Sequence, residues 1–120
     1  TMIIAKSGSA ITESMGFVFT GDQRDGVWEV DLAPAGGRVD GVSSAPISDT
    51  IPSDEMLFVL RAGYPQYVLV ATSITAGDNL AADGAGKFKT ASGSDFVSAK
   101  ALADDISMVA VLALLFPLGA

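Results

Sequence analysis

The chain has 120 residues, 49% of them hydrophobic, with 7 Lys and Arg against 14 Asp and Glu, and no His or Cys. That length holds one domain with a real core. Lack of Cys excludes a disulfide scaffold, thiol catalysis and thiolate metal sites, and lack of His removes the usual general base and zinc ligand. A formal net charge of -7 speaks against a nucleic-acid binder, whose electrostatic footprint is basic.

The acid excess has two readings. It keeps the chain soluble by self-repulsion, or it forms a negative surface that meets a positive partner. With charged residues at only 18%, this is no disordered acidic tail. The apolar share is generous for a monomer, so some apolar surface is expected to face another chain. The start, Thr1 to Lys6, is too short for a signal sequence, and an initial Thr is consistent with a removed initiator Met. The apolar run Ile106 to Phe116 is about half a membrane span and reads as a buried element. A cell interior is the default compartment.

In chain order, the first apolar run is Met2 to Ala5, an extended arm or an edge strand. Residues 1–12 are set aside as that arm or edge strand, and residues 13–120 as a single β-rich domain. Phe17 to Thr20 is a second run, closed by Gly21-Asp22. Asp25-Gly26 signals a turn before Val27 to Leu32, where Trp28, Val30 and Leu32 share one face. That period of two marks a half-buried strand, and Trp28 is expected in the core. Arg38 to Asp54 reads as a long irregular connection, with Asp40-Gly41 as a turn; it is either an ordinary surface loop or a partner-binding one.

Met56 to Arg61 and Tyr67 to Ala71 are predicted strands, with Gly63-Tyr64-Pro65-Gln66 as the hairpin loop between them. Asp83-Gly84-Ala85-Gly86 is a tight turn into another strand at Phe88. Phe96 to Leu102 and Met108 to Leu115 close the chain as strands, although Val97 to Ile106 also has helix-forming residues. Short strands at even spacing with Gly-rich turns predict a mainly β fold, an antiparallel β-sandwich or small β-barrel.

Tests for chemistry fail. A P-loop needs Gly where Ala81 stands and Ser or Thr where Phe88 stands; a dinucleotide loop needs Gly at Lys89. A calcium loop registered on Gly84 puts Ala81 at a ligand position and Thr90 where a bidentate Glu belongs. Ser98 and Lys100 share a strand face but lack the usual Ser-x-x-Lys spacing, and Asp104-Asp105 read as turn residues. No catalytic set, cofactor site or metal site is expected. Most aromatics sit in apolar runs and read as core. The exception is Tyr64 beside Pro65, a candidate interface anchor.

The second half carries an ordered set of motifs. Ile74-Thr75-Ala76-Gly77-Asp78-Asn79-Leu80 precedes Asp83-Gly84-Ala85-Gly86-Lys87. Then come Val97-Ser98-Ala99-Lys100-Ala101-Leu102-Ala103-Asp104 and a closing Val109-Ala110-Val111-Leu112-Ala113-Leu114. From about Tyr67 to Leu114 the chain resembles the capsid cement, or head decoration, proteins of tailed double-stranded DNA bacteriophages. The resemblance implies a structural, non-enzymatic role with no cofactor. The protein would bind the outer surface of an expanded head as a homotrimer and bridge major capsid protein subunits. It would be found in the virion, after assembly in the host cytoplasm, with no nucleic acid, membrane or small-molecule substrate as partner. The first half follows no pattern of that family. Met2, Ile3, Ile4 and Ala5 are candidates for the capsid contact, adding a strand to a capsid sheet. The alternative is a small, non-catalytic β-barrel module of a phage tail or another assembly.

Overall fold

The computed structural model describes residues 2–3, 5–7, 11–24, 26–43, 56–60, 65–107 and 109–116. These form strands and turns only, in two sheets that divide the sequence into halves. The first half supplies β1 (Met2–Ile3), β2 (Ala5–Lys6), β3 (Gly16–Arg24), β4 (Val27–Leu32), β5 (Gly41–Ser43) and β6 (Met56–Leu60). Their order across the sheet is β1-β6-β5-β3-β4-β2. The second half supplies β7 (Pro65–Leu69), β8 (Asn79–Ala82), β9 (Phe88–Thr90), β10 (Ala99–Ala101) and β11 (Ala110–Leu115), in the order β7-β11-β10-β8-β9. Strand pairing is antiparallel except where β2 runs parallel to β4, and an isolated parallel bridge joins Val70 to Phe88. The all-β expectation holds, and the layered arrangement is that of a β-sandwich.

Inward-facing residues of the described strands build the core between the layers. Val68 on β7 faces the same way as Val111, Ala113 and Leu115 on β11, and all four are buried. Leu80, Ala82, Phe88, Ala99 and Ala101 continue that layer, and Ala33, Val39 and Val42 of the first half pack against it. A second cluster, Ile11, Phe17 and Val30 with Met15, Phe19 and Leu32 against it, lies within the first half. Phe17 and Phe19 meet edge to face at 5.6 Å, a favoured geometry for aromatic quadrupoles.

Backbone hydrogen bonds also stitch the halves together. The Gly16 N–H donates to Gly86 O at 2.9 Å, and Gly36 N–H to Ala82 O at 2.9 Å. Ser14 sits at φ 67, a left-handed conformation that costs an L-residue roughly 1 kcal/mol. Its N–H donates to Ser43 O at 2.7 Å, while its carbonyl accepts from Leu69 N–H at 3.0 Å. The strained residue thus bonds to both sheets.

Several expectations are corrected. Gly21-Asp22 does not end its strand: β3 runs on to Arg24, and its register against β4 shifts between Phe19 and Gln23. Trp28 lies beyond that irregularity, opposite exposed Gln23, and is 51% exposed rather than buried. The alternation around it is real, but the core beneath β4 ends at Val30. Asp40-Gly41 is no turn. Asp40 is buried, with Arg38 Nε 2.8 Å from one carboxylate oxygen and the Phe19 N–H donating to the other at 2.9 Å. Gly41 opens β5, a strand inside the stretch read as irregular; residues 44–55 of that stretch lie outside the described residues.

β6 and β7 form no hairpin, because they belong to different sheets. Pro65 and Gln66 are not loop residues but begin β7, with Pro65 opposite Leu114. β8 was not foreseen, and the run from Phe96 shrinks to β10. Ser98 and Lys100 do not form a pair: Ser98 is buried with Oγ 3.4 Å from Phe96 O, and Lys100 is exposed.

Candidate interaction surface

The N-terminal strands occupy an unusual place. β1 pairs with β6 through Met2 opposite Leu57 and Ile3 opposite Met56. β2, one residue further on, pairs with β4 through Ala5 opposite Trp28 and Lys6 opposite Glu29. The two short strands therefore lie at the two ends of the six-strand order. Ile4, the fourth candidate for capsid contact, lies outside the described residues, as does Tyr64. Pro65 is described and exposed.

Aspartates in the second half shape its turns. Asp83 Oδ1 accepts the N–H of Ala85 at 2.8 Å and of Lys87 at 3.1 Å, closing the turn with Gly84 and Gly86 at φ 94 and 87. Only glycine takes those angles without strain, which is why this sequence turns here. Asp78 accepts the Thr75 N–H at 2.9 Å and Asp104 the Ala76 N–H at 2.7 Å. Asp105 accepts the Ser107 hydroxyl at 2.6 Å. These carboxylates are thus engaged with backbone or local hydroxyl donors.

Asp95 belongs to the same pattern. Its carboxylate accepts the Ser92 N–H at 3.1 Å and sits 3.3 Å from Lys89 Nζ. The Ser92 hydrogen bond, then the Lys89 ammonium, hold its pKa below the usual carboxylate value against the opposing effect of desolvation.

The exposed large apolar side chains are those that sequence reasoning missed. Trp28 is on the first sheet. Tyr67, Leu102, Phe96, Ile106 and Val109 are on or near the second. A signal for the second group was present. In Val109 to Leu115 both strand phases are apolar, which marks a strand covered on both faces. Here the Val111, Ala113 and Leu115 phase is buried, while Leu112 and Leu114 stay half-buried.

No protein-family model and no curated protein matches this chain. Among solved structures, the fold is similar to the N base of the head fiber gp8.5 of bacteriophage phi29. The TM-score is 0.79, covering 96% of this chain and 92% of that chain, at 16% sequence identity. The likeness is one of fold, extending over both sheets and nearly the whole of each chain.

Proposed function

We propose that this chain is a non-catalytic structural protein of a tailed-phage head, which binds the outer surface of the expanded shell as a homotrimer and bridges major capsid protein subunits. The observation that carries the reading is the whole-length fold likeness to a phage head fiber base. The motif order of the second half points to the same kind of particle. The physics is that of a cement. Each copy makes modest contacts, and a trimer engaging several subunits at once gains by effective concentration. An acidic exterior keeps the decorated particle soluble.

The shell contact is assigned to Met2, Ile3, Ile4 and Ala5. Strand addition to a capsid sheet can use the outer edges of β1 and β2, which stand at the two ends of the six-strand order, without opening the Met2–Ile3 and Ala5–Lys6 pairings. Side-chain contact from the intact sheet ends likewise requires no opening.

The test is cosedimentation of the purified protein with undecorated expanded capsids of the cognate phage, with unexpanded procapsids as control. Saturable binding to expanded shells alone supports the reading. No binding to expanded shells overturns it and moves the weight to a tail or another assembly.

A further inference from the structure

An antiparallel sheet with one face on a core ordinarily turns polar side chains outward. The second sheet breaks that rule on three adjacent strands. Tyr67, Leu112 and Leu102 form a row across β7, β11 and the end of β10. Tyr67 is the registered partner of Leu112, and the Leu102 N–H donates to Leu112 O at 2.9 Å. Pro65 and Leu114 pair in the row on one side, and Leu69 stands opposite Ala110 on the other. Tyr67 is 61% exposed and Leu102 43% exposed. Among the described outward positions of these strands, Lys100 is the sole charged side chain; it stands opposite Leu114.

With strands about 4.8 Å apart and same-face rows about 6.8 Å apart, the seven apolar positions just named cover roughly 230 Å². That approaches the size of the largest apolar patches of monomers, which often serve function. It is also less than half of the roughly 800 Å² that one partner contributes to a standard interface. The patch is therefore the apolar centre of a contact whose rim is polar. An exposed tyrosine amid aliphatic side chains, with no carboxylate beside it, has the composition of such a centre.

Charge selects the occupant. The chain carries 14 carboxylate residues and a net charge of -7, so copies repel over most of their surfaces. Among the described outward positions of β7, β11 and β10 this face has no carboxylate and one cation. It is complementary to the acidic remainder of the same molecule. We propose that the outward face of β7, β11 and β10 is where a second copy of this chain docks, head to tail. Tyr67 and Leu102 anchor the contact, and Lys100 pairs with a carboxylate of the neighbour. A contact between unlike patches closes into a ring when its rotation allows, so the same face, repeated, generates a cyclic oligomer.

The inference concerns association between copies, and its test needs no capsid. Sedimentation velocity and light scattering of the purified chain should show a discrete oligomer at about 100 µM that dissociates on dilution. Tyr67→Asp, Leu102→Asp and Lys100→Glu each put a carboxylate on the face. Each should weaken association by about tenfold or more while far-UV circular dichroism stays native. Trp28→Asp, equally exposed on the other sheet, should leave association unchanged. A wild-type chain that is monomeric at that concentration overturns the proposal. So does a natively folded Lys100→Glu variant, or a natively folded Tyr67→Asp and Leu102→Asp pair, that keeps the wild-type oligomer. Loss of association in Trp28→Asp to the same degree also counts against it. The inference rests on the homotrimer of the proposed function and names its seam: a monomeric wild type removes the trimer but leaves shell binding by single copies standing, and failure of cosedimentation leaves the oligomer standing.

Discussion

Phe88 and Gly16 form a matched pair across the two halves, and their coupling can be measured. Phe88 is fully buried. A Cβ placed on Gly16 would lie 3.0 Å from the ring Cζ and 3.2 Å from Cε1, and Val39 Cγ1 closes the site at 3.4 Å. Phe88→Ala removes a buried ring and leaves a cavity, at a cost of about 3–5 kcal/mol. For a chain of this length that is a fall in Tm of about 12–20 °C, taking roughly 2.1 cal/mol/K of unfolding entropy per residue. Gly16→Ala alone crowds the ring and should cost about 1–3 kcal/mol. In the Phe88→Ala background the same methyl enters vacated space, so its cost should vanish or turn into a small gain. The double-mutant cycle should therefore show a favourable coupling of about 1–3 kcal/mol. Urea unfolding followed by circular dichroism supplies the four free energies. Additivity to within about 0.5 kcal/mol would refute the claim that Phe88 sets the distance between Gly16 and the second sheet.

Further outcomes follow from other sites. Trp28→Ala should cost under about 1 kcal/mol, because the indole is half in water; native fluorescence should be red-shifted, and a blue-shifted spectrum would contradict the placement. Deleting Thr1 to Lys6 removes the strands that pair with β4 and β6. It should cost about 2–4 kcal/mol and lower Tm by about 8–16 °C, and an unchanged Tm would show those pairings to be idle. Asp95 has its pKa lowered in the fold from 3.8, so its contribution is present above that value and fades as pH falls through the lower folded pKa. The wild type should therefore be more stable than Asp95→Asn at about pH 6, with the gap closing in acid. A gap that does not narrow as pH falls below 3.8 would contradict the assignment.

Much of the fold is legible because turn chemistry is local. Asp83-Gly84-Ala85-Gly86 announces its turn through residue types that act within five positions. What the sequence hides is non-local. β5 is three residues long, and its membership depends on β3 and β6, which lie far away in the chain. The pairing of β6 and β7 looks compelling from proximity alone, yet each strand has a better partner in its own half. Trp28 follows the right alternation but falls past the end of its core, and alternation reports phase, not the extent of the layer beneath. The apolar outward phase of β11 is visible in Leu112 and Leu114, but it reads equally as a strand buried by its own domain. Only the register with Tyr67 shows that this phase lies on the outside.

The division of the sheets at residues 61–64 has a practical consequence. Every strand before that segment belongs to one sheet and every strand after it to the other. A single break there would release two fragments, each carrying a complete sheet, the second holding most of the shared core and the first contributing Ala33, Val39 and Val42 to it. The fragments would retain the hydrogen bonds from Gly16 to Gly86 and from Gly36 to Ala82 as recognition points. The chain is thus built like a two-part lock. Expressed as separate pieces fused to other proteins, its halves would make a complementation reporter, whose signal appears only when the two carriers come together.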